Sequence, residues 1–452
     1  MHKYSKTLLF LAIIPTAIFG QEDSIPKKNT FEIKPLVYLR SAAAESKGGK
    51  TMADFQAPGA LSHYRMGNEA NTYGEFGLSY HQEFKDLDHS LDIVMMMSGY
   101  SPFGDKKDYK LDNVAQFYAK FNDVVAGGDL WAGKRYYDRR DYHMIDFFWY
   151  NPGQDATFGF GIENLRSDKH KDKLSFAAFA FDNKNVGSLS PLAEEAERAE
   201  NLRSYHIEAK WSDIPTNKDG SVMAFVRAAK RRANEAINFK EANGFAVGLA
   251  HTQTNLIKGK ATNSFQINYK KGISVAQNQY IGTPVYETHG DAEHIRYNLD
   301  KNYALEASNS FFYEDEKNFA VNALAIYRFE NRGMKPVHVM DGQEFELGQK
   351  IHWFSAGFRA MKFLTKNFNL ALEYGADYVN NHTIEKEGVL HKITFSPQIQ
   401  LNYGFYTRPV IRPFFTYATW SEDLKGTIGG GYAPFADKTN GYTYGVSFEV
   451  WL

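Results

Sequence analysis

From Phe368 to Asn380 the chain reads FNLALEYGADYVN, with Phe368, Leu370, Leu372, Tyr374, Ala376 and Tyr378 at every second position. Between them stand Asn369, Ala371, Glu373, Gly375 and Asp377. Side chains of a strand alternate between its two faces, so this run has one apolar face and one polar face. The next run is longer: Ile393, Phe395, Pro397, Ile399, Leu401, Tyr403 and Phe405 alternate with Lys392, Thr394, Ser396, Gln398, Gln400, Asn402, Gly404 and Tyr406. It predicts a strand over 393–405. The dyad recurs in Tyr205, Ile207, Ala209 and Trp211, in Phe265, Ile267 and Tyr269, and finally in Tyr444, Val446, Phe448, Val450 and Leu452.

Two architectures accept such strands. A soluble sandwich shares its apolar faces in one core and uses strands of roughly five or six residues. A membrane barrel turns its apolar faces to lipid and uses strands of roughly nine to eleven residues, with long loops at one end. The 393–405 run is too long for the first. Short connections such as 365–367 alternate with long polar ones such as 182–203 and 329–349, which favours the second. The fold class expected is all-β, a transmembrane antiparallel β-barrel with no helix. An edge in lipid would leave backbone groups unpaired, so first and last strands must pair, making residues 31–452 one domain.

Export is expected as well. His2 and Lys3 precede an apolar run from Leu8 to Phe19, and Gly20 is a small residue at a cleavage position, so 1–20 reads as a secretory signal peptide. Residues 21–30 read as a polar lead-in. An exported chain of 452 residues with no cysteine has no disulfides to stabilise it, which favours one regular scaffold over stapled small domains. A net charge of −1 excludes nucleic acid as a partner, there being no basic excess to neutralise phosphates.

Parity also assigns a lumen. Val37 and Leu39 facing lipid put Tyr38 and Arg40 inside. Phe76, Leu78 and Tyr80 outside put Tyr73 and Glu75 inside, and the terminal runs do the same for Tyr406 and Trp451. Large aromatics beside charges in a wet lumen suit sugars, whose C–H faces stack on rings while their hydroxyls bond to Arg, Asp and Glu. The stretch WAGKRYYDRRDYHMIDFFWY, Trp131 to Tyr150, offers the same pairing in one place.

Several stretches resemble the maltoporins, sugar-specific trimeric porins of Gram-negative outer membranes. They are the Trp131–Tyr150 stretch followed by GFGIENL at Gly159 to Leu165, FQAPGALSHYRMGNEANTYGEF from Phe55 to Phe76, YLRS at Tyr38 to Ser41, RPVIRPFFTYATW from Arg408 to Trp420, and the terminal FEVW. The resemblance implies eighteen strands, a homotrimer in outer-membrane lipid, and a third loop folded inward. It implies facilitated diffusion of maltodextrin-like oligosaccharides along an aromatic slide of Tyr38, Tyr73, Tyr406 and Trp451. Arg40, Arg65, Glu75, Arg139, Asp141 and Asp146 would form the polar track. Phe148 stands at the constriction where the family has tyrosine, and Thr262 falls where it has a slide phenylalanine.

Other functions are weighed on the same residues. His143 lies beside Asp141 and Asp146, but no serine accompanies them for a hydrolase. No His, Asp or Glu spacing suggests a metal site, and no cofactor is expected. A non-specific porin has a use for the opposed charges but not for the rings. A soluble glycan-binding sandwich shares the chemistry without the strand lengths.

Overall fold

The computed structural model describes residues 30–451 apart from 47–49, 52–53, 103–112, 154–155, 167–170, 183–202, 234–240, 276–293, 297–301, 332–336, 341–342, 347–349 and 430–432. The expected leader, all but the last residue of the lead-in, the 183–202 connection and Leu452 lie outside the described residues.

Eighteen long strands form the wall: β1 Phe31–Ser46, β2 Asn71–Phe84, β3 His89–Pro102, β4 Asn113–Val125, β5 Gly128–Lys134, β6 Phe158–Arg166, β7 Lys173–Asp182, β8 Arg203–Asn217, β9 Gly220–Arg231, β10 Ala242–Asn255, β11 Ala261–Gly272, β12 Tyr303–Asp315, β13 Phe319–Asn331, β14 Lys350–Phe363, β15 Phe368–Asn381, β16 Lys386–Gln400, β17 Val410–Trp420 and β18 Asn440–Trp451. Each pairs antiparallel with its neighbours in sequence. The ladder closes where β1 meets β18, from Tyr38 opposite Trp451 to Ser46 opposite Thr443. Among the described residues, helix is confined to the four-residue turn Leu256–Gly259 and short 3-10 turns.

The alternation holds strand by strand. Ile393, Phe395 and Ile399 are exposed on the outer face, while Lys392, Thr394, Ser396, Gln398 and Gln400 are buried on the inner one. Connections at one end are short, such as 85–88 and 364–367, and those at the other are mostly long, the four residues 382–385 being an exception.

The 393–405 expectation needs correcting: β16 ends at Gln400, and 401–409 is a turn. The side chain of Asn367 donates to the carbonyls of Gln400 and Leu401 and stops the ladder there. Glu314 then takes the amide of Phe405 at 2.7 Å, turning that ring inward against Phe312. Phe405 is buried rather than facing lipid.

Among the described residues, the first loop folds into the barrel as well as the third. L1, joining β1 to β2 and described over 54–70, is docked on the inner wall from β14 to β18. Its Met66 amide donates to Glu373 at 3.0 Å, and its Met66 and Gly67 carbonyls accept from the hydroxyls of Thr394, Thr416 and Thr443. L3, residues 135–157, joins β5 to β6. Between these loops, the inner wall and the β17–β18 connection lies an apolar core that includes Phe55, Tyr64, Phe147, Tyr150, Trp353 and Phe435. Part of the lumen is therefore dry, and burial of the L1 rings holds that loop in place.

Tyr64 locks L1 to the wall by lying flat on Gly375, where an added Cβ would sit 2.0 Å from the ring. Gly375→Val is expected to expel Tyr64 at a cost of about 1–3 kcal/mol, leaving the barrel closed but L1 undocked. Single-channel conductance should rise while heat-modifiable gel migration persists; an unchanged conductance would show that L1 does not restrict the pore.

Candidate functional site: a ring row and a charged cavity

L3 leaves the wall at Arg135 and forms a hairpin of Arg140–Tyr142 with Phe147–Tyr150. Its turn is closed by the Ile145 amide on the Tyr142 carbonyl at 3.0 Å, with Asp146 at φ 55, a region aspartate tolerates better than most residues. His143 and Met144 are carried to the tip, where the Arg65 amide donates to Met144 O at 3.1 Å and the Ser62 hydroxyl to Ile145 O.

Arg65 ties these parts together. Its Nε donates to Glu69 at 2.9 Å, Nη1 to the carbonyl of His143 at 3.2 Å, and Nη2 to the hydroxyl of Tyr38 at 3.3 Å. Arg40 pairs with the same Glu69. Burial alone would push the Glu69 carboxyl up, but the two guanidiniums outweigh it and hold it well below the usual carboxylate range.

All the predicted site residues except Tyr406 line one cavity of about 260 Å³. Tyr38, Tyr73, Phe148 and Trp451 supply rings, while Arg40, Arg65 and Arg139 stand with Glu75, Asp141 and Asp146. Arg139 lies over Tyr136 at 4.2 Å and Phe148 at 5.1 Å. Burial, then the charge of Asp146, pushes up the pKa of Asp141.

Tyr406 lies outside that cavity, in the 401–409 turn rather than on a strand, yet it continues the same row of rings. Tyr73 and Tyr38 are 5.9 Å apart between centroids, Tyr38 and Trp451 6.3 Å, Trp451 and His143 5.7 Å, His143 and Tyr406 5.9 Å, and Tyr406 and Phe312 5.5 Å. Tyr73 lies near the long-loop end of β2 and Phe312 near the short-turn end of β12, so the row runs down the barrel.

Sequence reasoning missed two members of this row. His143, which the sequence offers within the charged and aromatic stretch but not as a ring of the slide, fills the gap between Trp451 and Tyr406. Phe312 stands directly opposite Thr262 in the ladder, on the inner face. The parity of buried Ala304, Glu306 and Ser308 along β12 carries the signal for it.

A closed eighteen-stranded antiparallel barrel, apolar outside, with loops folded into a charged and aromatic lumen, is an outer-membrane porin. Residues 36–452 match the LamB porin family model, and the chain belongs to that family, the maltoporins. Solved structures similar to it include OccAB1 of Acinetobacter baumannii, 10% identical with a TM-score of 0.47 over 96% of this chain and 99% of that one. The outer membrane channel DcaP of the same organism is 11% identical, TM-score 0.46, over 93% and 97%. OprD of Pseudomonas aeruginosa is 8% identical, TM-score 0.44, over 93% of each.

His143 gives the site a pH response. Burial lowers its pKa well below the ordinary 6.5, and Arg65 and Arg408 reinforce this against Glu449. Docked, the imidazole stays neutral; undocked, it takes a proton as pH falls through 6.5. The undocked state then binds more protons, so docking is strongest above pH 6.5 and weakens below it. Acidification below that value is expected to increase hydrogen exchange in L3, and His143→Asn should flatten the response; equal pH dependence in both proteins would rule this out.

Proposed function

We propose that this porin is a sugar-selective channel for facilitated diffusion of maltose- and maltodextrin-like oligosaccharides, with no chemical step. The observation that carries the reading is the unbroken ring row from Tyr73 to Phe312 flanked by charged side chains. A sugar face stacked on one ring gains about a kcal/mol, and charge-assisted bonds from Arg139 or Asp146 about as much again or more. Passage needs many such weak sites in series, since binding must be good enough to enter yet weak enough to leave.

In this reading Tyr38, Tyr73, Tyr406 and Trp451 are the slide, and Phe312 supplies the step absent at Thr262. Arg40, Arg65, Glu75, Arg139, Asp141 and Asp146 exchange hydrogen bonds with the hydroxyls, and Phe148 narrows the passage. The working form is a homotrimer in outer-membrane lipid, its leader removed after Gly20. A general porin is the rival, favoured by the balance of three arginines against three carboxylates in one cavity. Liposome swelling separates the two: a sugar channel passes oligosaccharides faster than amino acids of similar bulk.

Trp451→Ala removes one stacking surface worth about 0.5–1.5 kcal/mol. The concentration of maltotriose that half-blocks ion current through reconstituted channels should rise roughly two- to tenfold. Unchanged block would remove Trp451 from the slide.

A further inference from the structure

A second cavity, of about 40 Å³, lies between L1 and the inner faces of β1, β14, β17 and β18. It shares Arg40, Arg65 and His143 with the ring cavity but not its charge balance. Arg40, Arg65, Arg359 and Arg412 face only Glu69 and Glu449 there. Asp141, Asp146 and Glu75 line the ring cavity and not this one.

The excess runs deeper than the lining. Each of three lumen carboxylates, two of them buried, is shared by two cations. Glu69 holds Arg40 and Arg65; Glu449 holds Arg408 at 2.6 Å and Arg412 at 3.0 Å; Glu373 holds Arg359 at 2.5 Å and Lys392 at 2.8 Å. Asp54 and Asp146 also act on Arg40, but neither lines this cavity. Arg412 is only 9% exposed, and its Nε has no hydrogen-bond partner among the described residues; the Nε of Arg40 is likewise buried without one. A buried guanidinium N–H without an acceptor is costly, so a ligand that accepts there is favoured. The volume holds a few water-sized atoms but not a sugar ring.

We propose that this cavity binds a small oxyanion, a carboxylate, phosphate or sulfate group, held by Arg412 and Arg40. The group is either free in solution or a substituent on an acidic sugar. The second source rests on the sugar-channel reading above; the first does not.

The test uses the full-length protein in planar bilayers, comparing wild type with Arg412→Gln and Arg412→Lys, each first shown to insert and to keep heat-modifiable migration. Inorganic phosphate is titrated first, then maltotriose against a same-length oligosaccharide ending in a glucuronate. Phosphate should alter wild-type current at a concentration roughly tenfold below that needed in Arg412→Gln, equivalent to about 1.4 kcal/mol, with Arg412→Lys between them. If the acidic sugar also blocks wild type about tenfold better than maltotriose, and Arg412→Gln abolishes the advantage, the oxyanion is a sugar substituent. If the two sugars block alike while the phosphate effect still depends on Arg412, it is a free anion. Should Arg412→Gln fail to insert, Arg40→Gln carries the phosphate comparison alone, since Arg40 is also a polar-track residue. Phosphate and acidic-sugar responses equal in wild type and the variant would overturn the proposal. A channel indifferent to maltotriose yet showing the Arg412-dependent phosphate effect would instead sink the sugar reading and leave this site standing.

Discussion

A sheet in lipid has nowhere to hide an unpaired edge, so the ladder must close, and closure does more here than satisfy backbone groups. The closing pair sets Tyr38 against Trp451. Residues more than four hundred positions apart thereby become neighbouring rings at the centre of the row. Tyr73 joins them because it lies across the next ladder, opposite Arg40. The same register brings Glu449 opposite Arg40 and lets its carboxylate reach Arg412 on β17 and Arg408 in the turn below. Ring row and arginine cavity are both products of the seam.

Charges on the inner wall are likewise ordered by register. Glu208 faces Arg227, Glu306 faces Arg328 and Glu373 faces Arg359 directly across adjacent strands. Such pairs are affordable in a wet lumen, but L1 and L3 exclude water from much of it, and taking ions out of water is expensive unless each is matched. The wall answers with carboxylates bonded on more than one side, as where Glu306 takes both Lys270 and Arg328. Around L1 the cations outnumber the carboxylates, and four arginines face two glutamates across one cavity.

Alternation made the barrel legible, because period two survives in every strand that has lipid on one side and polar lumen on the other. It failed where that contrast ends. Beyond Gln400 the pattern runs on through Tyr403 and Phe405, yet those residues pack among themselves and Phe363 below the lumen, and periodicity cannot tell that apolar contact from lipid. L1 was hidden for the same reason: GALSHYRMGNEA has no period, and its docking depends on hydroxyls of Thr394, Thr416 and Thr443 contributed from far along the chain. Of the cavity's residues, Tyr38, Arg40, Tyr73, Glu75 and Trp451 are legible from strand parity and Arg139, Asp141 and Asp146 from the one stretch rich in charges and rings, whereas Arg65, in L1, and the place of Phe148 came only with the family resemblance. As members of the row, His143 and Phe312 were not legible, since their meaning lies in which rings stand on either side.

Phe148 has no hydroxyl, but a phenol and a guanidinium lie beside it. Arg139 lies over the rings of both Phe148 and Tyr136, a cation above two π faces. Tyr136 keeps its hydroxyl and donates it to Glu75 Oε1 at 2.8 Å, the same oxygen that accepts from Tyr73 at 2.6 Å. One carboxylate oxygen is thus occupied by two phenols, while Arg139 lies over two ring faces near the charge of Asp141. A guanidinium held by stacking keeps its N–H groups free to turn toward a passing hydroxyl, whereas one locked in an ion pair does not. In the proposed sugar channel the apolar ring of Phe148 positions this arginine without using up its donors.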